Sequence, residues 1–365
     1  MEYVQERVAT LHDFGDAGPE APTDKATVVV PMTECDYASL AAERVLATLE
    51  DVDPDRVVVA LRADPPDVPD IVDWIGGFDL DTEVLWCTAP RVEARLAEAR
   101  LDGTAGKGRD VWLAFGLAAD AEFVAVHDVD ATSYDESLVR RLLFPLAAGY
   151  DFSKGYYARV ENDRLYGRLV RLFLAPLIDV LADSHDDPLL GYLGAFRYPL
   201  AGEFAATGQL IRRLRVQRGW GLEIGTLGEA YATAGFDGSA QVDLGVHEHD
   251  HRSVSGPEGL GDMSRGVGGA LFRALADAGI EPDFRSLPER YRQRGLEMVQ
   301  QYAADAAFNG LSYDSIAERE QVETYAGAID PPGEDRRLPA WRDAPIDPGE
   351  IQRLSREAVA VATER

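Results

Sequence analysis

The chain is predicted to be an α/β protein, with a mainly parallel central sheet flanked by helices and a helical C-terminal extension. Three observations lead there: short β-branched runs alternate with amphipathic stretches through the first half, an apolar run ends on an acidic triplet, and helical patterning takes over beyond about residue 255. At 365 residues and 46% hydrophobic, the chain can bury a large core with no disulfide or metal staple.

Taken in order, residues 1–25 mix Pro, Gly and acids without periodicity and read as an N-terminal arm, frayed or ordered on contact. The main domain is expected to span 26–255. It opens with the strand-like Thr27 to Pro31, and Leu40, Ala41, Val45, Leu46 and Leu49 then share a helical face. The alternation repeats with Arg56 to Leu61 followed by Ile71 to Ile75, and with Thr82 to Trp86 followed by Val92 to Leu101. A helix from Arg109 to Ala119 leads into the apolar strand Glu122 to His127, which stops on Asp128-Val129-Asp130. Residues 256–365 form the helical extension, with helices near Met263 to Ala278 and Pro288 to Asn309. A Pro-rich surface loop covers 330–345. Asp347 and Pro348 supply an N-cap and a first-turn proline for a last helix.

The formal net charge of -28 argues against nucleic acid or an anionic membrane as a partner. Only Lys25, Lys107 and Lys154 are lysines among 36 basic residues, so the acidic surface resembles the bias of a salt-loving organism. Cys35 and Cys87 are too few for a disulfide framework, and neither an N-terminal apolar leader nor an 18-residue apolar run occurs, which points to a cytoplasmic, non-membrane protein.

Chemistry is expected where the apolar strand ends, because ligands of open α/β sheets sit beyond the carboxyl ends of the strands. Asp128 and Asp130 can both face a hard divalent cation there, although in so acidic a chain the spacing alone also fits a solvated pair. Gly106-Lys107-Gly108 brings a flexible backbone and one ammonium to within reach of a phosphate or a base, or is an ordinary turn. It lacks the spacing of a Walker A loop. His247, His249 and His251 would share one face of an extended segment, as metal ligand and substrate contacts or as a surface run. Glycines flank lone acids at Glu203 and Glu223, which suits either close approach to a ligand or a tight turn.

In order, the motifs VVVP, GKG, DVD, SKGYYAR (Ser153 to Arg159), YGRL (Tyr166 to Leu169), PLAGEF, GWGLEIG, QVDLGVHEH and GDMS resemble the retaining glycosyltransferases that make glucosyl-3-phosphoglycerate, and more distantly the mannosylglycerate synthases. The resemblance implies a GT-A type nucleotide-diphospho-sugar transferase fold, a divalent metal (Mg²⁺ or Mn²⁺) and a homodimer. It implies a nucleotide-sugar donor, UDP-glucose foremost, and a phosphoglycerate or glycerate acceptor. Carried over, Pro31, Glu34, Lys107, Asp128 and Val129 match the donor site, Asp130 and His249 the metal site, and Glu223 the acid beside the sugar. Asp130 and Glu223 are then the catalytic pair. Arg168, Val170 and His251 match the acceptor pocket. The chain departs from the family in three places. Leu61-Arg62-Ala63-Asp64-Pro65-Pro66 replaces the usual acidic and serine-rich stretch, Val170 replaces a hydroxyl side chain, and His251 replaces an asparagine. Asp128 to Tyr134 has the Asp-x-Asp-x-Thr-Ser-aromatic pattern of the mannosylglycerate synthases, so GDP-mannose and glycerate form the alternative pair. A non-catalytic nucleotide-binding module is the remaining alternative.

Overall fold

In the computed structural model, residues 5–246 and 257–364 are described. The strands are β1 (Ala9–Leu11), β2 (Ala26–Thr33), β3 (Arg56–Arg62), β4 (Thr82–Trp86), β5 (Phe123–Val126), β6 (Phe152–Ala158), β7 (Val160–Glu161), β8 (Arg164–Leu165), β9 (Phe204–Thr207) and β10 (Ser239–Val246). Eight of them form one sheet in the order β1-β10-β6-β9-β5-β2-β3-β4, while β7 and β8 make a small separate ribbon. Every neighbouring pair in the large sheet is parallel except those of β9, which runs antiparallel to both β5 and β6.

Central parallel strands are covered on both faces and therefore read as continuous apolar runs. Val28, Val29 and Val30 of β2 and Val57 to Leu61 of β3 are fully buried, in a register that pairs Val28 with Val57 and Thr33 with Arg62. The antiparallel β9 has no such signature: Phe204-Ala205-Ala206-Thr207 begins on the last residue of the PLAGEF segment and carries a single large apolar side chain. The arm also does more than fray. Its β1 pairs in parallel with β10 and forms the sheet edge, Val8 and Thr10 are buried, and Gln241 Nε2 donates to Thr10 Oγ1 at 2.9 Å. Tertiary pairing holds a segment for which local periodicity predicts nothing.

The helices are α1 (Leu40–Val52), α2 (Val68–Ile75), α3 (Pro90–Glu98), α4 (Lys107–Ala118), α5 (Glu136–Ala147), α6 (Ala175–Ala182), α7 (Pro188–Leu193), α8 (Gly208–Ile211), α9 (Leu222–Thr233), α10 (Pro257–Asp277), α11 (Leu287–Phe308), α12 (Ser315–Ala326) and α13 (Pro348–Thr363). Side-chain caps set several starts: Ser39 Oγ accepts from Ala42 N, and the Asp135 and Asp347 carboxylates accept from Ser137 N and Glu350 N. Helix α4 is buried from Gly108 to Ala118, the pattern of a helix covered on all sides. It packs on β2 and β3 and is covered by α13 and by the 330–345 loop. Trp341 of that loop stacks on Trp112 with ring centroids 4.3 Å apart, and Trp112 Nε1 donates to Pro339 O at 2.7 Å. Helix α13 also protects the edge strand β4: Ser355 Oγ accepts from Trp86 N at 2.8 Å, and Arg356 pairs with Glu83. Helices α10 to α12 pack together with α6, α9 and a π-helical turn at Leu169–Leu174. No helix among the described residues is long and apolar enough to cross a membrane.

Candidate active site

The carboxyl edge of the sheet gathers charge from three separate parts of the chain. After β5, His127 N donates to Val29 O at 3.1 Å and carries the chain past the strand end, so that Asp128 and Asp130 leave the sheet side by side. Lys107, the first residue of α4, places its Nζ 2.7 Å from Asp128 Oδ1 and 3.1 Å from Glu223 Oε1. Glu223 stands in the first turn of α9 behind Gly221, whose φ of 102° requires the left-handed region that glycine enters without strain.

Close backbone approach explains why Lys107 is flanked by glycines. A Cβ on Gly108 would lie 1.7 Å from Gln217 O, and Arg109 N donates to Arg218 O at 2.9 Å. The loop before α9 is thereby laid against the start of α4, which is what brings Glu223 to Lys107. Gly202 plays the same part on the other side, where a Cβ would meet Asp128 Oδ2 at 2.1 Å.

Beneath these groups lie two buried charges. Lys154 of β6 is 1% exposed, donates to Ala201 O and lies over the Phe204 ring at 5.5 Å. Burial pushes its ammonium down to about 8, against the pull of Glu223 and Glu203. Glu203, fully buried, raises the hydroxyl pKa values of Tyr134 and Tyr157 after the larger effect of their own burial. Burial likewise raises Asp128, opposed by Lys107 and reinforced by Glu203 and Asp130. For Lys107 burial disfavours the charge, yet Asp128 and Glu223 more than offset it and hold the ammonium well above its usual range.

Four carboxylates thus surround two ammonium groups. The surplus negative charge and the hard oxygen donors suit a divalent cation together with a diphosphate. Among the described residues no three His, Cys, Asp or Glu side chains converge as a ready metal cluster. His249 and His251 lie outside the described residues.

The other expected site residues take these places. Pro31 pairs in register with Ala60 inside β2, and Glu34 follows that strand, its Oε2 accepting from Asp64 N at 3.1 Å. Val129 is buried between the two aspartates. Arg168 and Val170 stand further along, at the start of the π-helical turn, Val170 buried and Arg168 tied through Nε to Glu318 Oε1 at 3.1 Å. Glu318 is 3% exposed and also holds Arg171 at 3.1 Å. Sequence reasoning missed Glu318. Lys154 is marked in the sequence by its rarity and Glu203 by its glycine neighbour, though neither pattern assigns a role.

No protein-family model matches the chain. The chain is 31% identical to a glucosyl-3-phosphoglycerate synthase of Methanococcoides burtonii, with 94% of each chain covered. It is 34% identical to that of Persephonella marina over 83% of this chain and 79% of the relative. Among solved structures it is similar to glucosyl-3-phosphoglycerate synthase from Mycobacterium tuberculosis in complex with Mg²⁺ and UDP, with a TM-score of 0.57, 26% identity, and 76% of this chain and 88% of the other covered. The same enzyme in complex with Mn²⁺, UDP-glucose and phosphoglyceric acid gives a TM-score of 0.57 at 25% identity, covering 76% and 89%. The mixed sheet, its charged carboxyl edge and these relationships agree, and the chain belongs to the glucosyl-3-phosphoglycerate synthase family.

Proposed function

We propose that the chain transfers glucose from UDP-glucose to 3-phosphoglycerate with retention at the anomeric carbon, using Mg²⁺ or Mn²⁺. The observation that carries this reading is Lys107 held between Asp128 and Glu223 at the carboxyl edge of the sheet. Relatives of that name cover most of the chain, and the M. tuberculosis enzyme binds the donor, the acceptor and both metals.

In this reading Pro31 and Glu34 border the nucleotide, while Lys107, Asp128 and Val129 hold the donor's ribose and diphosphate. Asp130 and His249 would hold the metal, which when bound neutralises the leaving diphosphate. Glu223 faces the sugar, and its contact with Lys107 fixes the carboxylate in place. Arg168 takes the acceptor's phosphate or carboxylate, with Val170 and His251 completing that pocket. The acceptor hydroxyl attacks the anomeric carbon as the bond to the diphosphate breaks. The electron pair of that bond leaves with UDP, and the acceptor's proton passes to the departing phosphate oxygen. We further assign the chain to the cytoplasm, to a high-salt milieu in keeping with its charge of -28, and to a homodimer.

The test is product formation across UDP-glucose and GDP-mannose as donors, and 3-phosphoglycerate and glycerate as acceptors, in molar salt with Mg²⁺. UDP-glucose with 3-phosphoglycerate should be turned over fastest. Equal rates with glycerate would remove the phosphate-specific acceptor, and preference for GDP-mannose would replace the donor.

A further inference from the structure

Arg62 is the last residue of β3, in register with Thr33, the last residue of β2. It therefore stands at the carboxyl edge beside Glu34, whose carboxylate ties the two strand exits together through Asp64 N. The side chain is 35% exposed, but it is not a loose surface arginine. Its Nε donates to Asp110 Oδ2 at 2.9 Å, and the Asp110 side chain is only 3% exposed. The second Asp110 oxygen has no hydrogen-bond partner, so the buried carboxylate is committed to this one contact. Burial pushes the Asp110 carboxyl up to about 6, opposed by Arg62 beside it, so the pair is ionic at neutral pH.

Asp110 lies three residues after Lys107 on α4, hence on the same helical face. One helix face thus fixes Lys107 against Asp128 and, a turn further on, fixes Arg62. A nucleoside diphosphate lying across the carboxyl edge, with its phosphates at Lys107, would meet the part-exposed Arg62 with its base. With Nε tied down, the guanidinium plane is set, and its two terminal amino groups make no hydrogen bond to a described residue. They can only donate.

We propose that Arg62, held in place by Asp110, reads the donor's nucleobase by donating to a keto oxygen, and so favours uracil over cytosine. Uracil presents a carbonyl acceptor at position 4, where cytosine presents an amino donor. A site of fixed donors rejects the second because two donors would face each other with no acceptor between them. This inference rests on the nucleotide-sugar reading above. Asp110 is a positioning residue and touches no ligand.

Glucosyl transfer to 3-phosphoglycerate is measured from UDP-glucose and from CDP-glucose, with the full-length chain, Arg62→Ala and Asp110→Asn, alongside UDP affinity by calorimetry. Arg62→Ala is expected to raise KM for UDP-glucose and weaken UDP binding by about tenfold, the loss of one charged hydrogen bond. It should also bring the UDP-glucose to CDP-glucose ratio of kcat/KM down toward one, with kcat within twofold and KM for 3-phosphoglycerate unchanged. Asp110→Asn should shift donor KM and the base ratio in the same direction by less, leaving kcat in place, which a purely structural role would not do. If Asp110→Asn fails to fold, the partly exposed Arg62→Ala decides alone. An active wild type with an unmoved base ratio and UDP affinity in Arg62→Ala overturns this inference alone. Absence of transfer from any nucleotide-glucose by the wild type overturns the donor reading and this inference with it.

Discussion

Lys107 Nζ sits 2.7 Å from Asp128 Oδ1, although the two residues belong to different elements, the first turn of α4 and the segment that follows β5. The contact joins the acidic strand end to the helix that carries Glu223, since the same ammonium reaches Glu223 Oε1 at 3.1 Å. Removing the ammonium leaves two carboxylates facing each other and nothing to balance an incoming diphosphate.

Lys107→Met is therefore expected to lower kcat/KM by about 10²-fold or more, roughly 3 kcal/mol of lost charge stabilisation. Steady-state kinetics with UDP-glucose varied would show it, and an unchanged circular dichroism spectrum would show that the fold survives.

Lys154 makes a pH-dependent prediction. Its ammonium is pushed down to about 8 in the folded chain, mainly by burial, whereas in the unfolded chain it stays near 10.4. Between those values the unfolded state binds more protons, so stability rises with pH across that window. Urea unfolding in constant salt at intervals from pH 8 to 10.5 should show this slope in the wild type relative to Lys154→Met, amounting to ~3 kcal/mol at most. Parallel curves for the two proteins would mean that burial does not lower the Lys154 ammonium in the folded chain.

Glu318 anchors two arginines from the C-terminal layer. It holds Arg168 at 3.1 Å and grips Arg171 through both carboxylate oxygens, at 3.1 and 3.2 Å. Glu318→Gln is expected to raise KM for 3-phosphoglycerate about five- to tenfold through looser positioning of Arg168, with KM for UDP-glucose unchanged. Glu318→Ala also strands the buried Arg171 and should cost about 3–5 kcal/mol of stability by urea unfolding.

Trp341 clamps the 330–345 loop over α4 by stacking on Trp112, and it is 8% exposed. Trp341→Ala is expected to cost about 3–5 kcal/mol, read as a lower urea midpoint.

These sites differ in how far the sequence foretells them. The apolar run before Asp128 and the cap at Asp347-Pro348 are local patterns, and β5 and α13 form where those patterns place them. Lys107 could be singled out because so few lysines remain in the chain, and its glycine neighbours because glycine marks close approach. Lys154 carries the same signal of rarity, but nothing in Ser-Lys-Gly shows that its side chain is buried in β6. Strands β1 and β9 owe their existence to pairing with distant segments, and Glu318 meets Arg168 across 150 residues. Such partnerships leave no periodicity to read. Arg62 stands out in the sequence only as a departure from its family, and the buried Asp110 that holds it is a contact no local pattern shows.

The most direct measurement compares wild type with Asp130→Ala for formation of glucosyl-3-phosphoglycerate from UDP-glucose and 3-phosphoglycerate, with and without Mg²⁺ or Mn²⁺, in molar salt. The expected result is metal-dependent product from the wild type and a loss of at least ~10³-fold in the folded variant. Undiminished turnover by Asp130→Ala, or wild-type turnover that survives chelation of the metal, would contradict a metal-dependent transfer centred on the Asp128-Val129-Asp130 strand end.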